Sequence, residues 1–142
     1  MDYRADCSRC QGICCVSLPF DRSESFAFDK AADVPCRHLN RANRCTIHSD
    51  LERRGCGGCA RYECYGAGQR VTQALFPGRS WRESPALARS MFETFRRLKR
   101  IHELSVLLDA ARSLHLTDSD ERQRCTLKSE LEPPSGWLPE TV

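Results

Sequence analysis

Cys7-Ser8-Arg9-Cys10-Gln11-Gly12-Ile13-Cys14-Cys15 places four thiols in one short stretch near the start of a 142-residue chain. Gly12 relaxes the backbone between two thiol pairs, so residues 1–20 read as a loop tied down by its sulfurs. Further along stand Cys36, Cys45, Cys56, Cys59 and Cys64, and then only Cys125. Large apolar residues run the other way. They are sparse up to Cys64 and dense from Leu87 to Leu116. The first half is therefore poor in ordinary core and rich in candidate cross-links. A segment of that kind often needs a metal or disulfides to fold.

The length suits one domain with a terminal appendage. The net charge is +3, with arginine outnumbering lysine 19 to 3. That balance gives no argument for nucleic-acid or membrane binding. No apolar run approaches the ~20 residues needed to span a bilayer. Met1 to Cys15 carries Asp2 and Asp6 without a continuous apolar stretch, so it does not read as a secretory signal. The expected compartment is the cytoplasm, where thiols stay reduced and dense cysteines point to metal or redox chemistry.

Local signals set the expected elements. Phe26-Ala27-Phe28 alternates like one short strand. Cys36 to Ile47 reads as a hairpin or tight loop around Asn40-Arg41-Ala42-Asn43. Ser49, with Glu52 three residues on, predicts a short helix closed by Gly55. Val71 to Phe76 is a candidate helix stopped by Pro77-Gly78. The firmest element runs from Pro85 to about Leu116. Ser84 can cap it, Pro85 suits its first position, and Leu87, Met91, Phe95, Leu98, Ile101, Leu104, Leu108 and Ala111 form one helical stripe. At roughly 48 Å as one helix, it must break or pair with a second surface. Thr117 to Leu131 reads as a shorter polar helix. The expected fold is mostly α: a small metal-stabilised, cysteine-rich domain over 1–76 with irregular loops and a short hairpin, a helical region over 77–132, and a flexible tail over 133–142.

The cysteine spacing carries the chemistry. Cys7-x2-Cys10, Cys45-x2-His48 and Cys56-x2-Cys59 each let a tight turn present two ligands to one ion. Zinc takes four such ligands in a tetrahedron, and iron–sulfur clusters use cysteine thiolates in similar spacings. Cys14 and Cys15 are adjacent and suited to letting two sites share one backbone segment. Eight thiolates divide into two tetrahedral sites, or into one four-cysteine cluster plus one zinc.

Beyond the spacing, a resemblance emerges. Cys7-x2-Cys10 with Cys14-Cys15, then Cys36, then Arg44-Cys45-Thr46-Ile47-His48, then Arg54-Gly55, then Cys59-x2-Tyr62-x-Cys64 resembles the bacterial CxxCxxCC family, described as a zinc- or iron-chelating domain. The resemblance covers about residues 7–71. It implies Cys7, Cys10, Cys14, Cys15, Cys36, Cys45, Cys59 and Cys64 as the metal-ligand positions. Three residues rather than two separate Cys10 from Cys14, His48 stands where the family has tyrosine, and Gly55 where it has proline. His48 therefore competes for a ligand place, and Cys56 falls outside the pattern. Cys14-Cys15-Val16-Ser17-Leu18-Pro19-Phe20 and Gly66-Ala67-Gly68-Gln69-Arg70-Val71 also resemble N-terminal segments of some bacterial pentapeptide-repeat proteins, but no such repeats occur here.

Other residues read more plainly. His38 reads as a loop histidine and Cys125 as an inert thiol on a polar helix. His102-Glu103 lacks the second histidine of a zinc-protease helix. The basic run Arg96-Arg97-Leu98-Lys99-Arg100 reads as a solvated helix face rather than a nucleic-acid contact. The expectation is a metal-binding protein, with zinc ahead of an iron–sulfur cluster, in a structural, regulatory or interaction role. Its partners would be the metal ion, and another protein or a second copy through the long helix. The rival classes are an iron–sulfur or zinc-dependent enzyme or electron carrier, and a thiol redox or metal-storage protein.

Overall fold

A computed structural model of the chain describes residues 2–134 and 136–142. Met1, the expected start of the first unit, and Ser135, in the expected tail, lie outside the described residues. The fold is mostly helical, with irregular loops and a long helix towards the C-terminus. Helix α1 spans Cys14–Ser17, α2 Gly57–Arg61, α3 Ala67–Arg70, α4 Pro85–Ala110 and α5 Asp118–Leu131. Among the described residues no helix is long and apolar enough to cross a membrane.

Helix α4 organises the molecule. Ser84 is extended and its hydroxyl accepts from the Leu87 amide, with Pro85 at the first turn. The stripe then buries Met91, Phe92, Phe95 and Leu98. They pack with Ile13, Val16, Ala67, Val71, Leu75 and Trp81 into the main core. The long helix thus folds back on the cysteine-rich part, and the two regions share one core. A fully buried side chain such as Phe95 gains roughly 1.5–3 kcal/mol from leaving water. The helix stops short of Leu116. After Ala110 it tightens into a 3-10 turn, Ala111–Ser113, and Leu114 is extended. Leu114 is 62% exposed, so the last apolar residues of the stripe have no surface to hold them in helix.

Thr117 caps α5, and Asp118, Asp120 and Glu121 fill its first turn, which suits the positive end of the helix dipole. Helix α5 buries none of its residues. Polar contacts hold it to α4: Arg124 donates to the Leu108 carbonyl, and Lys128 reaches the Ser105 carbonyl and Asp109. In the segment expected to be a loose tail, Trp137 and Val142 pack against the main core. The Trp137 indole donates to the Leu131 carbonyl and Arg97 to that of Val142. The basic run on α4 is largely engaged within the protein, with Arg96 bridging 2.7 Å to Asp33 and Lys99 and Arg100 both meeting Glu103.

The loop lobe departs from expectation in two places. Phe26–Phe28 forms no strand. The chain there makes only isolated bridges, Phe20 to Lys30 and Ser23 to Phe26, and the Phe20 and Phe26 rings stack 4.2 Å apart. Ring packing replaces ladder pairing. The Ser49–Glu52 capping box is likewise replaced by a 3-10 turn, His48–Asp50, followed by turns. Gly55 does take the left-handed conformation, at φ 69°. Its carbonyl receives the Ala27 amide at 2.7 Å, and a Cβ there would stand 2.9 Å from that of Ala27. The expected hairpin or tight loop is a tight loop closed by one isolated Leu39–Cys45 bridge, with the Asn43 amide donating to the Asn40 carbonyl and Asn43 left-handed at φ 58°. A second, smaller core of Phe28, Ile47 and Cys56 closes this lobe.

Candidate metal centres

The nine N-terminal thiols gather around helix α1, the single turn that carries Cys14 and Cys15. Successive residues on a helix point about 100° apart, so these two thiols touch each other yet have different further neighbours. Cys14 packs against the main core with Cys10 and Cys64. Cys7, Cys10, Cys14 and Cys64 line one concavity together with Gly68 and Phe95. On the other side, Cys36 and Cys45 pack against the second core, and the Cys36 amide donates to the Cys15 carbonyl at 2.9 Å. Cys59 follows on α2, its amide bonded to the Cys56 carbonyl, and its thiol lies towards those of Cys15, Cys56, Cys36 and Cys45.

The backbone is shaped for sulfur. The Gly12 and Ile13 amides point at the Cys10 sulfur, the His38 amide at Cys36, and the Ile47 amide at Cys45. These donors stabilise a thiolate over a thiol. Gly12 makes the first turn possible at φ 64°. Asp6 caps the Cys7–Arg9 turn by accepting from the Ser8 amide. The Arg44 guanidinium clasps the same loop, donating to the carbonyls of Cys7, Ser8 and Cys10 at 2.7, 2.5 and 2.8 Å. Gly68 lets the loop approach α3, since a Cβ there would meet the Cys10 sulfur at 2.7 Å.

Burial opposes ionisation of most of these thiols. It pushes Cys10 up to about 11 and raises Cys7, Cys36 and Cys45, with neighbouring thiols adding to the effect. Cys14 and Cys15 form a pair in which Cys14 donates its proton, so Cys14 is held up and Cys15 down. The Lys30 ammonium also favours the Cys15 thiolate. Lys30 is itself buried and donates to the carbonyls of Val16, Leu18 and Ala31 at 2.7, 2.6 and 3.1 Å. Thiols buried in this way ionise fully only when a positive ion replaces their protons.

All ten cysteines are free. Among the described residues no three His, Cys, Asp or Glu side chains converge closely enough to enclose an ion. The donor set fits a metal in its chemistry: soft thiols near one another, with amides aimed at three of them. Ligation would require the sulfurs to draw inward. His48 opens its 3-10 turn with an exposed side chain. Cys56 is 2% exposed, sits in the second core, and donates its S–H towards the Arg54 carbonyl. Cys125 is exposed on α5, bonded to Glu121, apart from the array. Lys30 and Arg44 are the residues that sequence reasoning missed. Arg44 directly precedes Cys45 in the sequence, which is a faint signal, and nothing local marks Lys30 as buried.

No protein-family model matches the chain, and no solved structure matches it. The chain is 45% identical over 115 residues to the uncharacterized protein YybG of Bacillus subtilis (strain 168). The matched stretch is 81% of this chain but 41% of that relative, so the chain spans well under half of the curated protein it resembles.

Proposed function

We propose that this chain is a metal-binding module whose N-terminal thiolates hold zinc, and that the bound metal serves a structural role. One observation carries the reading: thiols from four separated segments lie on the two sides of the Cys14–Cys15 turn, with backbone amides aimed at three of them. A lobe with so small an apolar core gains most from such cross-links. The resemblance to the CxxCxxCC family points the same way, and a reducing, cytoplasmic setting would keep the thiols available. Partners beyond the ion would dock on the long-helix face, where Leu107 is 57% exposed beside Leu104, Leu108 and Leu127.

The test is direct. Protein purified under reducing conditions is assayed for zinc, iron and labile sulfide, then treated with a chelator while its helical signal is followed. Colourless, zinc-loaded protein that unfolds in the chelator is the expected result. Brown protein containing sulfide would replace zinc by an iron–sulfur cluster. Metal-free protein that keeps its fold would overturn the proposal.

A further inference from the structure

We infer that the array is two separate four-thiol sites, Cys7, Cys10, Cys14 and Cys64 against the helical core, and Cys15, Cys36, Cys45 and Cys59 in the loop lobe, each taking one zinc ion. This rests on the metal-binding reading above and adds which sulfur belongs to which ion.

Packing divides the thiols before any ion is considered. Cys10, Cys14 and Cys64 lie against the main core, whereas Cys36 and Cys45 lie against Phe28 and Ile47. Cys7 joins the first group in the concavity floored by Gly68 and Phe95. Cys15 joins the second through the bond between its carbonyl and the Cys36 amide. The boundary falls between two consecutive residues whose thiols share a hydrogen bond but whose other neighbours differ, Cys10 and Cys64 for Cys14, and Lys30 and the Cys36 amide for Cys15. Cys56 stays outside both sites. It is sealed in the second core, and its S–H donates to the Arg54 carbonyl, a bond that a metal-bound thiolate cannot make.

Charge separates the sites further. Four thiolates around a divalent ion leave a net charge of about −2. The buried Lys30 ammonium, held by the Val16, Leu18 and Ala31 carbonyls, lies near Cys15 and Cys36. It offsets part of that charge at the loop-lobe site. The core site has Arg44 instead, which binds the backbone of its loop rather than its sulfurs. Emptying the core site should loosen α4, because Phe95 forms its floor. Emptying the other should melt only the loop lobe.

The experiment is a cobalt titration of the reduced full chain, read by thiolate-to-cobalt absorption. The wild type takes up two equivalents. Cys10→Ser and Cys64→Ser each lose one, and the double variant Cys10→Ser/Cys64→Ser still holds one. Cys10→Ser/Cys36→Ser holds none, and Cys56→Ala keeps two. Should the serine variants fail to fold, wild-type zinc protein is treated with stepwise chelator and alkylated, and the modified cysteines are mapped by mass spectrometry. The eight thiols should become reactive as two groups of four, with Cys14 and Cys15 in different groups. Release of all eight together, Cys14 and Cys15 in one group, or loss of all metal from one serine substitution would refute the division while leaving metal binding intact. A chain that binds neither cobalt nor zinc would overturn both.

Discussion

Replacing Lys30 by methionine keeps the aliphatic stem and removes the ammonium beneath the loop lobe. Three carbonyls then lose their donor, those of Val16 at 2.7 Å, Leu18 at 2.6 Å and Ala31 at 3.1 Å. Hydrogen bonds from a charged donor contribute about 1.5–3 kcal/mol each, and a buried acceptor left bare costs about 1–3 kcal/mol. Against this stands the relief of no longer burying a charge, which amounts to several kcal/mol. The Leu18 and Ala31 carbonyls are only part-buried and can recover water, whereas the contact with Val16 is buried. The net loss should be about 2–4 kcal/mol. With a urea slope of about 2 kcal/mol per molar, the unfolding midpoint should fall by about 1–2 M. Urea titration of the zinc-loaded protein, followed by circular dichroism, measures this. A midpoint within about 0.3 M of wild type would show that the ammonium does not organise the turn carrying Cys14 and Cys15.

Gly68→Ala drives a methyl into the Cys10 sulfur and should cost about 1–3 kcal/mol as an overpacked core, seen as a lower thermal midpoint and one fewer tightly held ion. Ser84→Ala removes the cap on the Leu87 amide and should cost about 1 kcal/mol in the same denaturation assay, with metal content unchanged. His102 is buried, its Nδ1 within 2.6 Å of the Tyr65 carbonyl and the Tyr3 ring edge-on to it. Burial, with Arg70 nearby, holds its pKa below the ordinary value of 6.5. The unfolded chain therefore binds the proton more readily. Stability is full above pH 6.5 and falls as the pH drops through the folded-state value. His102→Gln should flatten that part of the stability profile relative to wild type, and equal slopes would refute the assignment.

Much of the helical frame was legible because its signals are local. Ser84, Pro85 and the stripe from Leu87 to Leu98 need only their own neighbours to be read, and the same holds for Asn40–Asn43 and the left-handed Gly55. What failed depended on distant contacts. The end of α4 at Ala110 follows from the absence of a surface beneath Leu114. The helix expected after Ser49 gives way to a 3-10 turn that begins at His48, with no side-chain cap. The spacing marked the cysteines as candidate ligands but not their surroundings, since which core Cys10 or Cys36 packs against is a long-range fact. Lys30 looks like any polar residue in a loop until the Val16 and Leu18 carbonyls are seen around its tip.

The attachment of α5 has a dynamic consequence. A helix with no buried residue, whose side-chain bonds to α4 come from Arg124 and Lys128, depends in part on charged contacts that salt weakens. It can detach without opening the main core, as a local unfolding unit of low free energy. Amide hydrogens on α5 should therefore exchange well ahead of those around Phe95, and faster as ionic strength rises. The departing helix would bare the Leu104–Leu108 side of α4 and leave both thiol clusters untouched.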